Sequence, residues 1–347
     1  MTRARDVSRL ITTPPNIYAT DTESSVGYLT LSSASSTYRA ISNETTIFRN
    51  LVINGDFNVW QRGTSFTDLS AGNFYGPDRF GFNRTGDATG LTVSRSTDVP
   101  TGFVYSLKNQ RTASNANTAA LATYYAAESI DSKRFAGKTF TFSFYAKAGA
   151  NYSGGALSYA VNSGTGTDQR VYSFTSSTSP INTSTNITSS WQRFSSSATF
   201  ASNINQVGFS FAWTPSGTAG ADDSVYITGI QLEEGSLTPF ESIPYGVEQA
   251  LCQRYFEWTG FYTTNWNTAS TTARTGVNWF VPKRRSPDVT FSSGYNQYGP
   301  GGQLTITSIS SVTSDSGGAL FTFSQSGGLT TNAPSTANVS LKLDAEL

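Results

Sequence analysis

The groups in this chain that could do chemistry are three glutamates near one strand end, a few aspartates and a short cationic turn. Histidine is absent from all 347 residues. That removes the Ser–His–Asp triad, the histidine general base and nearly all catalytic zinc sites. The single cysteine, Cys252, excludes an intrachain disulfide. With no histidine to activate it, and lying between Leu251 and Gln253, it reads as a small buried hydrophobe. Glu233, Glu234 and Glu241 are the carboxylates from which glycoside hydrolysis would have to draw its flanking pair. Adjacent strand residues point to opposite faces, so Glu233 and Glu234 cannot flank one bond, and Glu241 lies beyond Pro239. The chain is therefore not expected to be an enzyme. Lys283-Arg284-Arg285 reads either as a solvated turn or as a contact for anionic lipopolysaccharide or phosphate at a cell surface. Glycine-rich pieces such as GTGT and GPGG lack the strand-to-helix context of a phosphate loop.

The elements that must position these groups are strands. Charged residues make up only 13%, balanced at 23 Lys+Arg against 23 Asp+Glu, which argues against a nucleic-acid partner. Aromatics also reach 13%, with Ser, Thr, Asn and Gly between them, the composition of antiparallel sheet with many turns. No apolar run is long enough to insert in a membrane, and no signal peptide is read at the N-terminus. The clearest strand is Thr139 to Lys147: Phe140, Phe142, Phe144 and Ala146 share one face, Thr141, Ser143, Tyr145 and Lys147 the other. About ten such segments over residues 51–245 predict a two-sheet jelly roll, in which Asn50 to Trp60 is a strand with a tight Asn54-Gly55 turn. Val225, Ile227, Ile230 and Leu232 make its last strand, with a bulge at Gly229. Pro239 and Pro244 end the sheet, and spacing from Gly246 to Phe256 turns helical, so residues 246–347 are a linker helix plus a smaller β-sandwich. Leu251, Cys252 and Tyr255 are expected to pin that helix against the domain that follows. Residues 1–50, too poor in apolar side chains to close a core, are expected to be an extended arm that pairs with another chain or wraps a neighbour; a disordered leader is the competing reading. The fold class is all-β.

Two sets of residues carry a family resemblance. The junction GIQLEEGS (229–236), TPFE (238–241), PYGVE (244–248) and ALCQRYFE (250–257) resembles that of bacteriophage virion proteins, chiefly tail fibres and related appendages. NGDFNVWQRG (54–63), DRF (78–80), SSWQRFSSSATF (189–200) and DSVYITGIQLEEG (223–235) resemble strands of jelly-roll carbohydrate-binding modules. Such modules hold sugars on aromatic faces with a few orienting polar groups. On this resemblance Trp60, Tyr145, Tyr159, Tyr172 and Trp213 are the contact candidates. Each could instead be a core aromatic, the favoured reading for Trp60, and Tyr145 is the leading exposed position. In similar modules a calcium ion lies near the first and last strands, which makes Asp56, Asp222 and Asp223 the nucleus of a possible structural calcium site; ordinary turn aspartates are the competing reading. No other cofactor is expected.

The reading is a structural virion protein: a phage tail fibre or appendage, attached to other virion proteins through residues 1–50 and touching host-surface glycan or lipopolysaccharide with its β domains. The resemblance implies a homotrimer. The alternatives are a head fibre or capsid decoration protein, a secreted carbohydrate-binding module and, from another class, a lyase or hydrolase.

Overall fold

The computed structural model describes residues 48–67, 74–84, 90–269, 272–291, 296–299, 302–325 and 334–346. Most of the expected N-terminal arm lies outside them. Phe48–Leu347 is one compact unit. Its first part is the expected jelly roll. One six-stranded antiparallel sheet, sheet I, holds β1 (Ser65–Thr67), β4 (Leu91–Ser96), β5 (Ser106–Arg111), β12 (Asp223–Glu234), β7 (Thr139–Ala148) and β10 (Gln192–Thr199), in that order. Sheet II holds β2 (Phe74–Tyr75), β3 (Gly81–Arg84), β6 (Leu121–Ala126), β11 (Gln206–Trp213), β8 (Leu157–Gly164) and β9 (Thr178–Thr185). A one-turn helix, α1 (Ser129–Ser132), follows β6.

Strict alternation places the core. Phe140, Phe142, Phe144 and Ala146 of β7 are fully buried, as the sequence requires, and meet Phe209 and Phe211 of β11 and Tyr159 of β8. The Phe142–Phe209 centroids are 4.9 Å apart. Tilted and edge-on ring pairs of this kind add about 0.5–1.5 kcal/mol each beyond the area they bury. The bulge falls where expected: register shifts between Thr228 and Gln231, and Gly229 takes φ +60°.

The segment 50–60 departs from the expected strand. Leu51 N donates to Leu232 O and Ile230 N to Gly55 O, so the chain runs beside β12, but it then knots around Asn54. The Asn54 carboxamide donates to the Val59 and Asp78 carbonyls and accepts from Val59 N. Asn54 and Phe57 both sit at positive φ. A side chain at Gly55 would place its Cβ 2.2 Å from Ile230 O, which only glycine avoids.

After β12 comes the linker helix α2 (Tyr245–Gln253). Seven strands follow in one antiparallel sheet: β13 (Phe256–Ala269), β14 (Thr272–Asn278), β18 (Gly318–Gln325), β17 (Gly302–Ser314), β16 (Asn296–Gly299), β19 (Pro334–Asp344) and β15 (Asp288–Phe291). β13 also pairs with β19 along Phe256–Trp266, so the sheet closes on itself. The small second sandwich is thus built from one curled sheet, with Trp279, Phe321, Phe323, Leu341 and Leu343 packed between its walls. No helix among the described residues is long and apolar enough to cross a membrane.

Candidate functional site

The outer face of sheet II is paved with small and polar side chains. Cross-strand partners fix three rows. Asn83, Ala122, Ala212, Ser158 and Ser184 lie abreast on five strands; Gly81, Tyr124, Ser210, Ala160 and Asn182 lie abreast beside them; Ala126, Gly208 and Asn162 form the third, whose Ala126 and Gly208 are covered by Val171 and Phe174. Their neighbours along each strand, such as Phe209, Phe211 and Tyr159, point into the core, so one alternation makes both surfaces. At 4.7–4.9 Å per strand the five-strand rows run about 19 Å across the sheet. Tyr172, in a 3-10 turn after β8, stands over this floor at 54% exposure. Its ring meets that of Tyr124 edge-on at 5.4 Å, and its hydroxyl lies within reach of Ser210. Tyr124 itself is buried, and that burial pushes its phenol up to about 12 against the lowering effect of the Arg170 charge, so Tyr124 supports the Tyr172 ring and does not face a ligand. The face therefore offers an aromatic plane beside a shallow, uncharged, hydrogen-bonding floor.

Of the five aromatic candidates, Tyr172 alone is prominently exposed. Trp60 is 9% exposed, and its indole donates to Phe57 O at 2.6 Å inside the Asn54 knot. Tyr159 and Trp213 are core residues: the Tyr159 hydroxyl pairs with Ser196, and Trp213 packs on Tyr152. None of these three can offer a ring to a ligand. Tyr145 is on the outer face of sheet I as its alternation requires, but Phe103 packs over it at 5.2 Å and Arg193 lies 5.6 Å from its ring centre. Phe240 in turn covers Phe103.

The cationic turn is a correction. Lys283 is 1% exposed; its ammonium ion-pairs with Glu257 and donates to the Gln253 and Val281 carbonyls. Arg284 donates to the carbonyls of Ala345 and Glu346 and reaches Asp168. Arg285 alone is exposed, and pairs with Asp288. The triplet fastens the second domain and is not a cationic surface.

The three aspartates do not converge. Asp223 is fully buried and saturated by Arg111 and by the Ser153 amide and hydroxyl. Arg111 spends its other donors on the carbonyls of Asn115, Asn117, Ser216 and Gly217, which ties three loops together. Asp222 takes Lys108, Ser224 and the Ala150 amide. Asp56 lies beside Ile230, seven residues along β12 from Asp223, or roughly 20 Å at strand rise. No cluster of three or more metal-ligating side chains exists among the described residues. The glutamates are likewise separated. Glu233 is buried and accepts from Gln231 and Thr238; Glu234 faces solvent beside Lys138; Glu241 caps the amides of Phe48 and Asn50.

What the sequence hides is the junction. Arg79, fully buried, ion-pairs with Glu346 and donates to Ala126 O at 2.6 Å, and its guanidinium stacks 3.4 Å from the centre of the Tyr255 ring. Arg62 lies over Phe256 at 3.7 Å and reaches Asp344 and Glu346. Gln61 bridges Asp78 to Phe256 O, and Arg254 makes a two-pronged contact with Glu128. The linker helix and Tyr255 are thus pinned on the jelly roll as well as on the domain that follows. Residues 54–63 and 78–80, singled out above for their resemblance to sugar-binding modules, build this seam. An open recess in the second domain, lined by Asn278, Ser314, Asp315 and Leu320, has less to offer. Its Asp315 carboxylate is committed to the Gly317 and Gly318 amides.

No protein-family profile matches the sequence, and no curated protein matches it. Among solved structures the chain is similar to the enzymatically active domain of tailspike protein 4 from bacteriophage CBA120, at 16% identity over 54% of this chain, 22% of that one, and a TM-score of 0.36. It is also similar to a carbohydrate-binding module described as CBM4, at 19% identity over 53% of this chain, all of that one, and a TM-score of 0.32. A third likeness is to the CBM22-1–CBM22-2 tandem domain of Paenibacillus barcinonensis Xyn10C, at 10% identity over 77% and 93% of the two chains, with a TM-score of 0.30. What the chain does has to be argued from its own surfaces.

Proposed function

We propose that the jelly roll is a glycan-contacting module, carried by a structural virion protein of the tail-fibre or appendage kind. The observation that carries the glycan reading is the outer face of sheet II, where exposed Tyr172 overlooks a flat floor of Ser158, Ala160, Ser210, Ala212 and Asn182. A sugar ring stacks on an aromatic plane through its C–H face, and its hydroxyls exchange hydrogen bonds with small polar side chains without the cost of burying a charge. Sheet I offers no comparable ground at Tyr145, since its own loops cover that ring. The residues resembling phage appendage junctions support the virion setting. In this reading residues 1–50 attach the chain to other virion proteins, the protein is displayed on the particle as a homotrimer, and its partner is a host-surface glycan or lipopolysaccharide.

Affinity electrophoresis against a panel of bacterial surface polysaccharides tests the glycan half. Tyr172→Ala should lose retardation at least tenfold with unchanged thermal unfolding, and Ser210→Tyr, which fills the floor, should do the same. Retention of binding in both variants overturns the site. Labelling the chain on intact particles by electron microscopy tests the virion half, through the location and symmetry of the label.

A further inference from the structure

Asp56 and Glu248 bury two carboxyl groups against each other where α2 meets the jelly roll. They are 5% and 3% exposed. One oxygen of each has a donor: Asp56 Oδ2 accepts from Asn58 Nδ2 at 2.7 Å, and Glu248 Oε1 from Asn54 N at 2.9 Å. The other two, Asp56 Oδ1 and Glu248 Oε2, are buried without a donor. The two side chains are within hydrogen-bonding reach of one another. Facing carboxyls in a dry site cannot both ionise, and one proton between the orphaned oxygens satisfies both.

Among the described residues no lysine or arginine pairs with either carboxyl. The charges that bear on the pair are chiefly each other's, with the backbone of Asn54, Asp56 and Asn58 beside them; Asp78 and Arg79 from the turn before β3 and Glu346 from the last described segment bear on Cys252, one turn along α2. Arg79 is committed to Glu346 and Ala126 O, and Asp78 to Gln61 and Arg62. The thiol is held protonated by burial and by the nearby carboxylates of Asp78 and Glu248.

We propose that Asp56 and Glu248 share one proton that latches α2 to the jelly roll, and that alkaline loss of this proton lifts the helix and loosens the seam between the two β domains. The contact at stake is the one from Glu248 to Asn54 N, and Asn54 is the centre of the knot that also holds Val59 and Asp78. Burial first, and the Asp56 charge second, push the Glu248 carboxyl up to about 8. The folded chain therefore binds this proton more tightly than the unfolded one. The stabilisation is complete below the ordinary carboxyl range and is lost as pH rises through about 8.

Cys252 lies one turn beyond Glu248 on the same helix face, fully buried, and reports the latch. Its reaction with a disulfide reagent is followed in the full chain from about pH 7 to about pH 9.5. The rate is divided by that of the urea-unfolded chain at each pH, and the variants below control for the raised thiol of the folded chain. The native ratio should rise at least tenfold across the range. In Glu248→Gln, whose amide donates to Asp56 at every pH, the ratio should stay flat. Asp56→Asn should behave alike and serves if the first variant does not fold. An equal rise in the native chain and in a folded variant overturns the latch. Protection at the alkaline end by calcium but not by sodium also overturns it, since a cation would then occupy the place assigned to the proton.

Discussion

The jelly roll and the second domain bury themselves by different means. The jelly roll has a continuous aromatic core running from Phe57 and Phe80 through Phe142 and Phe209 to Trp213. Its main buried ion pair, Arg111–Asp223, lies within its own loops. The second domain shows a short cluster around Phe321 and Leu341, and holds its end with charge: Lys283 on Glu257, Arg284 on the Ala345 and Glu346 carbonyls, Glu346 on Arg79. Apolar packing is tolerant of small shifts, whereas a buried ion pair is not, because removing one partner strands the other in a low dielectric. The second domain is therefore expected to depend on the first far more than the first depends on it.

The sharpest break of this contrast is at the core. Phe142→Ala should destabilise the whole chain by about 3–5 kcal/mol, read as a lower urea midpoint for both domains. Next is Glu346→Ala, which leaves the Arg79 guanidinium buried and unpaired at a cost of about 3–5 kcal/mol, across a sequence separation of 267 residues. Its effect should appear in the jelly roll as well as at the chain end, as increased hydrogen exchange at Ala126 and Tyr125; protection there identical to wild type would show that the domains are independent. Lys283→Met strands Glu257 in the same manner at a similar or smaller cost, and its hydrogen-exchange changes should stay within the second domain.

The pH dependence is smaller. Asp78 is raised to about 6 because burial outweighs the help from Arg62 and Gln61, and Glu248 is raised to about 8. Both folded values lie above the unfolded ones. Stability should be greatest in mild acid and decline as pH rises through about 6 and then about 8, with Glu248→Gln abolishing the upper step. A urea midpoint that rises over this range would refute both assignments. The smallest expected effect on stability is that of Tyr172→Ala, about 0.5 kcal/mol or less for an exposed side chain, measured by the same urea titration, although it removes the aromatic plane of the candidate site.

The division between what was legible and what was not follows sequence distance. The β7 alternation, the Gly229 bulge and the helix after Pro244 are local patterns, and each is found at or near its expected place, although the helix stops at Gln253 and Phe256 already opens β13. The candidate face was half visible. In QVGFSFAWT the phenylalanines attract attention, while Ser210 and Ala212 beside them are the residues that face the open floor. Read for its small residues, the same strand would have marked the open face. The junction was not visible at all, because no local pattern says that Arg79 will meet Glu346, or that a basic triplet will be folded inward by Glu257. Nor does NGDFNVW announce that Asn54 will break the strand by capturing two carbonyls.

The placement of Glu346 also bears on how the chain is made. A ribosome delivers Arg79 early, and with it all the strands of the jelly roll, well before it reaches residue 346. Until then that guanidinium has no carboxylate to neutralise it, and Tyr255 and Arg62 have an unfinished surface to close upon. The jelly roll can thus collapse on the ribosome but cannot seal its lower edge. A nascent chain should show a late maturation step, tied to the emergence of residue 346 and separate from the formation of the sandwich.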